Sequence, residues 1–231
     1  MAKTIVVAGY GPGISTAVAE KFGAEGFNVA IVGRSADKLA AGVTALGAKG
    51  IEAKAFTADL VDPAAIGAMV QEVRRALGPI SVLEWTAFTP GSVAGDVLTA
   101  SPAELRSMFD LSVVGLLATV QAALPDLKSE KGAILVTNGG AGLVDPQMDA
   151  LCAEWGMMGL GVSNAAKHKL VGVLAAKLRG DGVYVAEVMV SGVIKGTPFD
   201  QGQMPAIEGS RVAAKYWELY TARTEVRTTI Q

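Results

Sequence analysis

The chain has 231 residues, 51% of them hydrophobic, with 20 basic and 22 acidic side chains and a formal net charge of −2. The two signs are mixed without a basic stripe, which argues against a nucleic-acid role, and no uninterrupted apolar run reaches the ~18 residues of a membrane span. One cysteine excludes an internal disulfide framework, and one histidine leaves almost no material for a His-based metal site or a Ser-His-Asp triad.

Strand and helix patterns alternate from the start. TIVVA (4–8) is a short β-branched run, and 14–25 carries Ile14, Val18 and Phe22 at helical spacing. FNVAIV (27–32) reads as a second strand, 36–48 as an alanine-rich helix, and IEAKAFTADL (51–60) as a third strand. Pro63 opens a helix that stops at Gly78-Pro79. Strands over 80–88, 132–140 and 183–191 then alternate with long helices over 102–127 and 156–179. A loop, a helix near 209–222 and a tail complete the chain. Continuous apolar strands separated by helices require a sheet covered on both faces. The expected fold is α/β, a single-domain Rossmann fold over 1–231 with a doubly wound parallel sheet. The N-terminal MAKTIVVAG lacks the charged and apolar regions of a signal peptide, so a cytoplasmic protein without membrane contact is expected.

The first βα turn, VVAGYGPGIS, carries Gly9, Gly11 and Gly13 before Ile14. Glycines there let the backbone approach a pyrophosphate at a helix N-terminus, where free N–H groups and the helix dipole favour anions. The second strand ends at Arg34-Ser35, 25 residues past Gly9. A carboxylate at that tip would accept from the ribose 2′-hydroxyl of NAD; an arginine beside a small hydroxyl suits the 2′-phosphate of NADP. NADP is therefore expected over NAD. Asp37 lies close, but inside the helix start, where it serves as N-terminal charge.

These features resemble the short-chain dehydrogenase/reductase family over nearly the whole chain. The family turn Gly-x-x-x-Gly-Ile-Gly is matched by Gly9 to Ser15 except at its last glycine. Asp59-Leu60 stands for the family's aspartate beside the adenine, and Trp85-Thr86-Ala87-Phe88 is a degenerate form of its Asn-Asn-Ala-Gly. FDLSVVGLLATVQAALP resembles its central helix, with Ser112 where an active-site asparagine is usual. VSGVIKGTPFDQG (190–202) resembles its Pro-Gly-x-x-x-Thr loop, which implies that the backbone of Val193 and Ile194 meets the nicotinamide amide and that Thr197 holds a phosphate.

In the resembled family a tyrosine passes a proton to the carbonyl oxygen. A lysine four residues on lowers its pKa and holds the nicotinamide ribose, and a serine holds the substrate oxygen. LVGVLAAKL, aligned with the family helix, puts Asn164 at the lysine and Leu160 at the tyrosine, and GGAG puts Gly139 at the serine. The 21 residues from Gly139 to Leu160 imply a short insertion around 145–156. Leucine cannot transfer a proton, and asparagine carries no charge, though it can bond a ribose hydroxyl.

Other residues are candidates for the missing proton source. His168 follows Asn164 by four, but Lys167, His168 and Lys169 read as a solvated or subunit-facing patch. Asp145, Asp149, Glu154 and Trp155 read as a polar loop over the site, and Cys152 as a small packing residue. The tail helix, with Arg211, Tyr216, Trp217 and Tyr220, reads as amphipathic packing or a subunit contact. The resemblance implies an NADP(H)-binding oxidoreductase acting on a small carbonyl or alcohol with non-standard acid–base residues, assembled as a homodimer or homotetramer through its two long helices. The replaced residues favour instead a catalytically silent dinucleotide-binding protein, a sensor or partner subunit. A lyase, isomerase or hydratase reusing the pocket is the third expectation.

Overall fold

The computed structural model describes residues 2–88, 95–202 and 205–231. From the N-terminus, β1 (Thr4–Ala8), α1 (Ile14–Ala24), β2 (Asn28–Gly33), α2 (Ala36–Gly47), β3 (Ala53–Thr57), α3 (Pro63–Leu77) and β4 (Ile80–Trp85) alternate as the hydrophobic pattern requires. Then come α4 (Pro102–Phe109), α5 (Leu116–Ser129), β5 (Ala133–Gly139), α6 (Pro146–Glu154), α7 (Met158–Leu178) and β6 (Tyr184–Val190). Two-residue strands β7 (Val193–Ile194) and β8 (Ala206–Ile207) precede α8 (Gly209–Ala222) and β9 (Arg227–Ile230).

Seven strands form one parallel sheet in the order β3-β2-β1-β4-β5-β6-β9, the doubly wound arrangement. Successive side chains on a strand point to opposite faces. Val6, Leu83, Trp85, Ile134 and Val136 therefore pack with α3, α5 and α7, while Ile5, Val7, Val82, Leu135 and Val188 pack with α1, α2 and α8. Helix starts are set locally. Asp62 and Ser101 cap α3 and α4 with a proline at the first turn, and Ser101 with Glu104 forms a reciprocal capping box.

Three local expectations are corrected. The long helix over 102–127 is interrupted by a π-helical segment, Asp110–Gly115, between α4 and α5. A Cβ on Gly115 would sit 2.1 Å from the carbonyl oxygen of Leu60, so the helix reaches the end of β3 only with glycine there. By length and mean hydropathy, the continuous helical stretch Pro102–Ser129 also meets the requirement for a membrane span; Leu116, Val120, Ala123 and Leu127 of that stretch lie in the core. The insertion is not a polar loop. Asp145 accepts from the backbone of Gln147 and Met148 and starts α6 at Pro146. The tail ends in β9, which pairs with β6 at the sheet edge. As expected of an amphipathic packing helix, α8 packs within the chain, where Trp217 and Tyr220 meet Phe22 and Phe27 edge-on and Tyr216 is fully buried.

Candidate active site

The C-terminal ends of β1, β2, β4 and β5 converge with the loop after β6. Gly9 (φ +95°) and Gly13 (φ +92°) occupy the left-handed region that favours glycine. A Cβ on Gly9 would lie 2.4 Å from the Cα of Ala87, and one on Gly13 would lie 2.9 Å from Ile194 and 3.1 Å from Thr197. The glycine turn thus packs closely against the end of β4 and the loop over 193–197. Above Gly11 there is open space. Ser15, in place of the last glycine, accepts from the N–H of Gly11 at 2.9 Å and so holds the turn. Among the described residues no side chain caps the start of α1 at Ile14, and its first turn carries no acidic residue. Its leading N–H groups are therefore free to face an anion. These residues fit a dinucleotide diphosphate.

Around the turn, Arg34 is exposed at the tip of β2, and Ser35 caps α2 by accepting from Lys38. Asp59 is exposed after β3 beside the buried Leu60. The Thr86 hydroxyl turns inward to the carboxyl of Glu84, and that of Thr137 lies 3.3 Å from the same carboxyl. Val193 is half-buried, and Thr197 donates to the carbonyl of Ile194 at 2.7 Å.

On the α7 side of the sheet lies a small open cleft lined by Ala87, Phe88, Ser107, Met108, Leu111, Ser112, Leu160, Ser163, Asn164 and Lys167. Ser112, Leu160 and Asn164 thus share one cavity. Gly139 adjoins it, since a Cβ there would meet the amide nitrogen of Asn164 at 2.9 Å. The backbone of Asn164 is tied down as well, its carbonyl accepting from Asn138 at 3.0 Å. Ser112 sits on the π-helical segment and donates to Met108 at 2.6 Å.

Lys167 is the main departure from the sequence reading. It is not solvated: 6% of it is exposed, and burial pulls its ammonium down to about 8, against the opposing influence of Glu187. Leu160, Ser163, Asn164 and Lys167 follow each other at helical i, i+3, i+4 and i+7, so they form one stripe of α7. That periodicity was available in the sequence and marks Lys167 and Ser163 as cavity residues. His168 turns instead to Glu187, 2.6 Å from its carboxylate, and Asn138 donates to the same side chain at 2.6 Å. Asp145, Asp149, Glu154 and Trp155 do not line the cavity. Cys152 is buried against Gly161, and burial together with Asp149 pushes its thiol up.

A family model described as short chain dehydrogenase matches residues 3–206. The chain is 32% identical over 192 residues to meso-2,3-butanediol dehydrogenase of Serratia marcescens, a match covering 82% of this chain and 70% of that one. It is 30% identical over 170 residues to a 3-oxoacyl-[acyl-carrier-protein] reductase of Staphylococcus aureus, covering 71% and 68% of the two chains. Among solved structures, a metagenomic short-chain oxidoreductase in complex with NADP superposes with a TM-score of 0.79 at 25% identity, over 99% of this chain and 95% of the other. L-Sorbose reductase from Gluconobacter frateurii, complexed with NADPH and L-sorbose, gives 0.85 at 20% identity over 100% and 95%, a likeness of fold.

Proposed function

This chain belongs to the short-chain dehydrogenase family, and we propose that it binds NADP(H) at the glycine turn and interconverts a small carbonyl and its alcohol in the adjoining cavity. The observation that carries this is the meeting of the glycine turn, the end of β4 and the loop over 193–197 beside a cleft that holds a buried lysine. Gly9, Gly11, Gly13 and the start of α1 would take the diphosphate, Arg34 and Ser35 the 2′-phosphate, and Asp59 with Leu60 the adenine side. Thr86, Ala87, Asn164, Val193 and Thr197 would border the nicotinamide half. The bound dinucleotide supplies or accepts the hydride.

Within the cavity, Ser163 and Lys167 repeat the family's spacing of four, and Lys167 carries the ammonium that Asn164 lacks. Lys167 thus supplies the charged group of this cavity, with Asn164 beside it as the residue that would hold the nicotinamide ribose. Ser107, Ser112 and Ser163 would receive the polar end of a substrate, while Phe88, Met108, Leu111 and Leu160 exclude water from its apolar end. The butanediol dehydrogenase among the relatives is named for a small vicinal diol, so 2,3-butanediol with NADP⁺ heads the substrate panel, followed by small ketones and aldehydes with NADPH. The exposed Val162 and Val173 lie three turns apart on α7 and support assembly of copies along that helix.

Titration with NADPH tests the reading directly: a fluorescence change and a rise in melting temperature are expected, and the absence of both refutes it. Leu160 favours a second reading. It faces the cavity at the place expected for the tyrosine and transfers no proton, so NADPH binding without consumption across the panel would mark a silent dinucleotide-binding protein.

A further inference from the structure

We propose, resting on the dinucleotide-dependent reading above, that Lys167 itself exchanges the proton with the substrate oxygen, the work that a tyrosine does in the resembled family. The cavity wall narrows the choice. Ser112 and Ser163 give their hydrogens to helix carbonyls, at Met108 (2.6 Å) and Leu160 (3.2 Å), which leaves their oxygens as acceptors. Asn164 does not titrate, and the rest of the lining apart from Ser107 and Lys167 is apolar. Lys167 is thus the one acid–base group among the described residues that line the cleft.

The surroundings of Lys167 leave its proton transferable. Of the charged groups on elements packed against α7, the carboxylate of Glu187 on β6 is the one that acts on it. That carboxylate is already engaged by Asn138 and His168, each at 2.6 Å, with Arg227 of β9 at 3.6 Å. Lys167 makes no ion pair among the described residues. β5 offers only the neutral Asn138 here, and Glu104, Arg106 and Asp110 on the α4 side and Asp149 and Glu154 on α6 are exposed. A lysine locked to a carboxylate would be too weak an acid; one that is desolvated and unpaired loses its proton near the working pH, where general acid–base transfer is most effective.

In the reducing direction, an N–H bond of the Lys167 ammonium breaks and its electron pair stays on Nζ. The proton goes to the carbonyl oxygen, whose π pair becomes the O–H bond as carbon receives the hydride. The neutral amine then regains a proton from water at the cavity mouth. The oxidising direction runs these changes in reverse.

Lys167 can be titrated without any substrate, by pulsed acetic anhydride labelling of the dinucleotide-free protein between pH 6 and 11 with peptide mass spectrometry. A midpoint near 8 is expected; a midpoint at 10 or above overturns the proposal. Lys167→Arg and Lys167→Gln should bind NADPH within about tenfold of the parent, yet each should lose ~100-fold or more in turnover. In the parent, reduction should slow tenfold per pH unit above about 8. Methylamine should restore turnover to Lys167→Ala. An arginine variant that keeps more than a tenth of the turnover would show that charge alone suffices, against the proposal. So would a parent that binds NADPH and consumes none. Failure of the parent to bind NADPH is a separate result and sinks the dinucleotide reading instead.

Discussion

Glu84 provides a measurable test of how the sheet beneath the candidate site is held. It lies near the C-terminal end of β4 on the α8 face, fully enclosed. Its carboxyl takes bonds from Thr86 and Thr137, and the Thr137 hydroxyl lies 2.7 Å from that of Tyr216. The other oxygen, Oε2, has no partner among the described residues. Burial raises the carboxyl from 4.5 to about 8, with the two threonine hydroxyls pulling the other way. Between those values the native protein keeps a proton that the unfolded chain releases. Its contribution to stability is therefore complete below pH 4.5, declines as pH rises, and is lost once pH passes 8. The proton-linked penalty at high pH is roughly 5 kcal/mol, an upper bound because water and local relaxation can lower it. Glu84→Gln keeps the shape and removes the ionisation. The variant should match the parent within about 1 kcal/mol at pH 4.5 and exceed it by about 3–5 kcal/mol at pH 9. Urea unfolding at pH 4.5, 7 and 9 measures the difference. A gap that stays constant across that range would refute the neutral buried acid.

Arg34→Asp should weaken NADPH relative to NADH by about 10- to 100-fold, the value of a lost charge-assisted contact, in competitive fluorescence titrations; an unchanged ratio would remove Arg34 from the phosphate site. Gly9→Ala combines a strained φ of +95° with a Cβ 2.4 Å from the Ala87 backbone, so it should lower stability by about 2 kcal/mol or more and weaken NADPH binding with it. A stable variant that binds normally would show that the turn has room there. Cys152, buried with its thiol pushed up, should react with an aromatic disulfide reagent at pH 7.5 far more slowly in the native protein than in urea, and equal rates would contradict its packing.

Much of the architecture was legible because apolar strands that are buried on both faces read as continuous runs, and their spacing by helices leaves a parallel sheet as the arrangement that covers them. The glycine turn was legible for a related reason, since strand, turn and helix follow within a few residues and the chemistry is local. The elements that were missed depend on partners far along the chain. Arg227-Thr228-Thr229-Ile230 is too short and polar to announce a strand and becomes one by pairing with β6. Asp145-Pro146 did carry a helix-start signal for α6, but the surrounding polarity outweighed it. The π-helical segment ends at Gly115, which passes against Leu60, a contact invisible from either residue alone.

By itself, then, the sequence determined the order of strands and helices and the glycine bend at the first crossover, because hydrophobic periodicity and turn chemistry act over neighbouring residues. Only the tertiary structure decided the state of Lys167 and Glu84. Both are charged residues whose ordinary place is in water, and their burial follows from how α7 lies against β5 and β6 and how Thr137 of β5 and Tyr216 of α8 enclose Glu84. Desolvation depends on what surrounds a group in space, so the chemistry of this cavity was set when those layers packed.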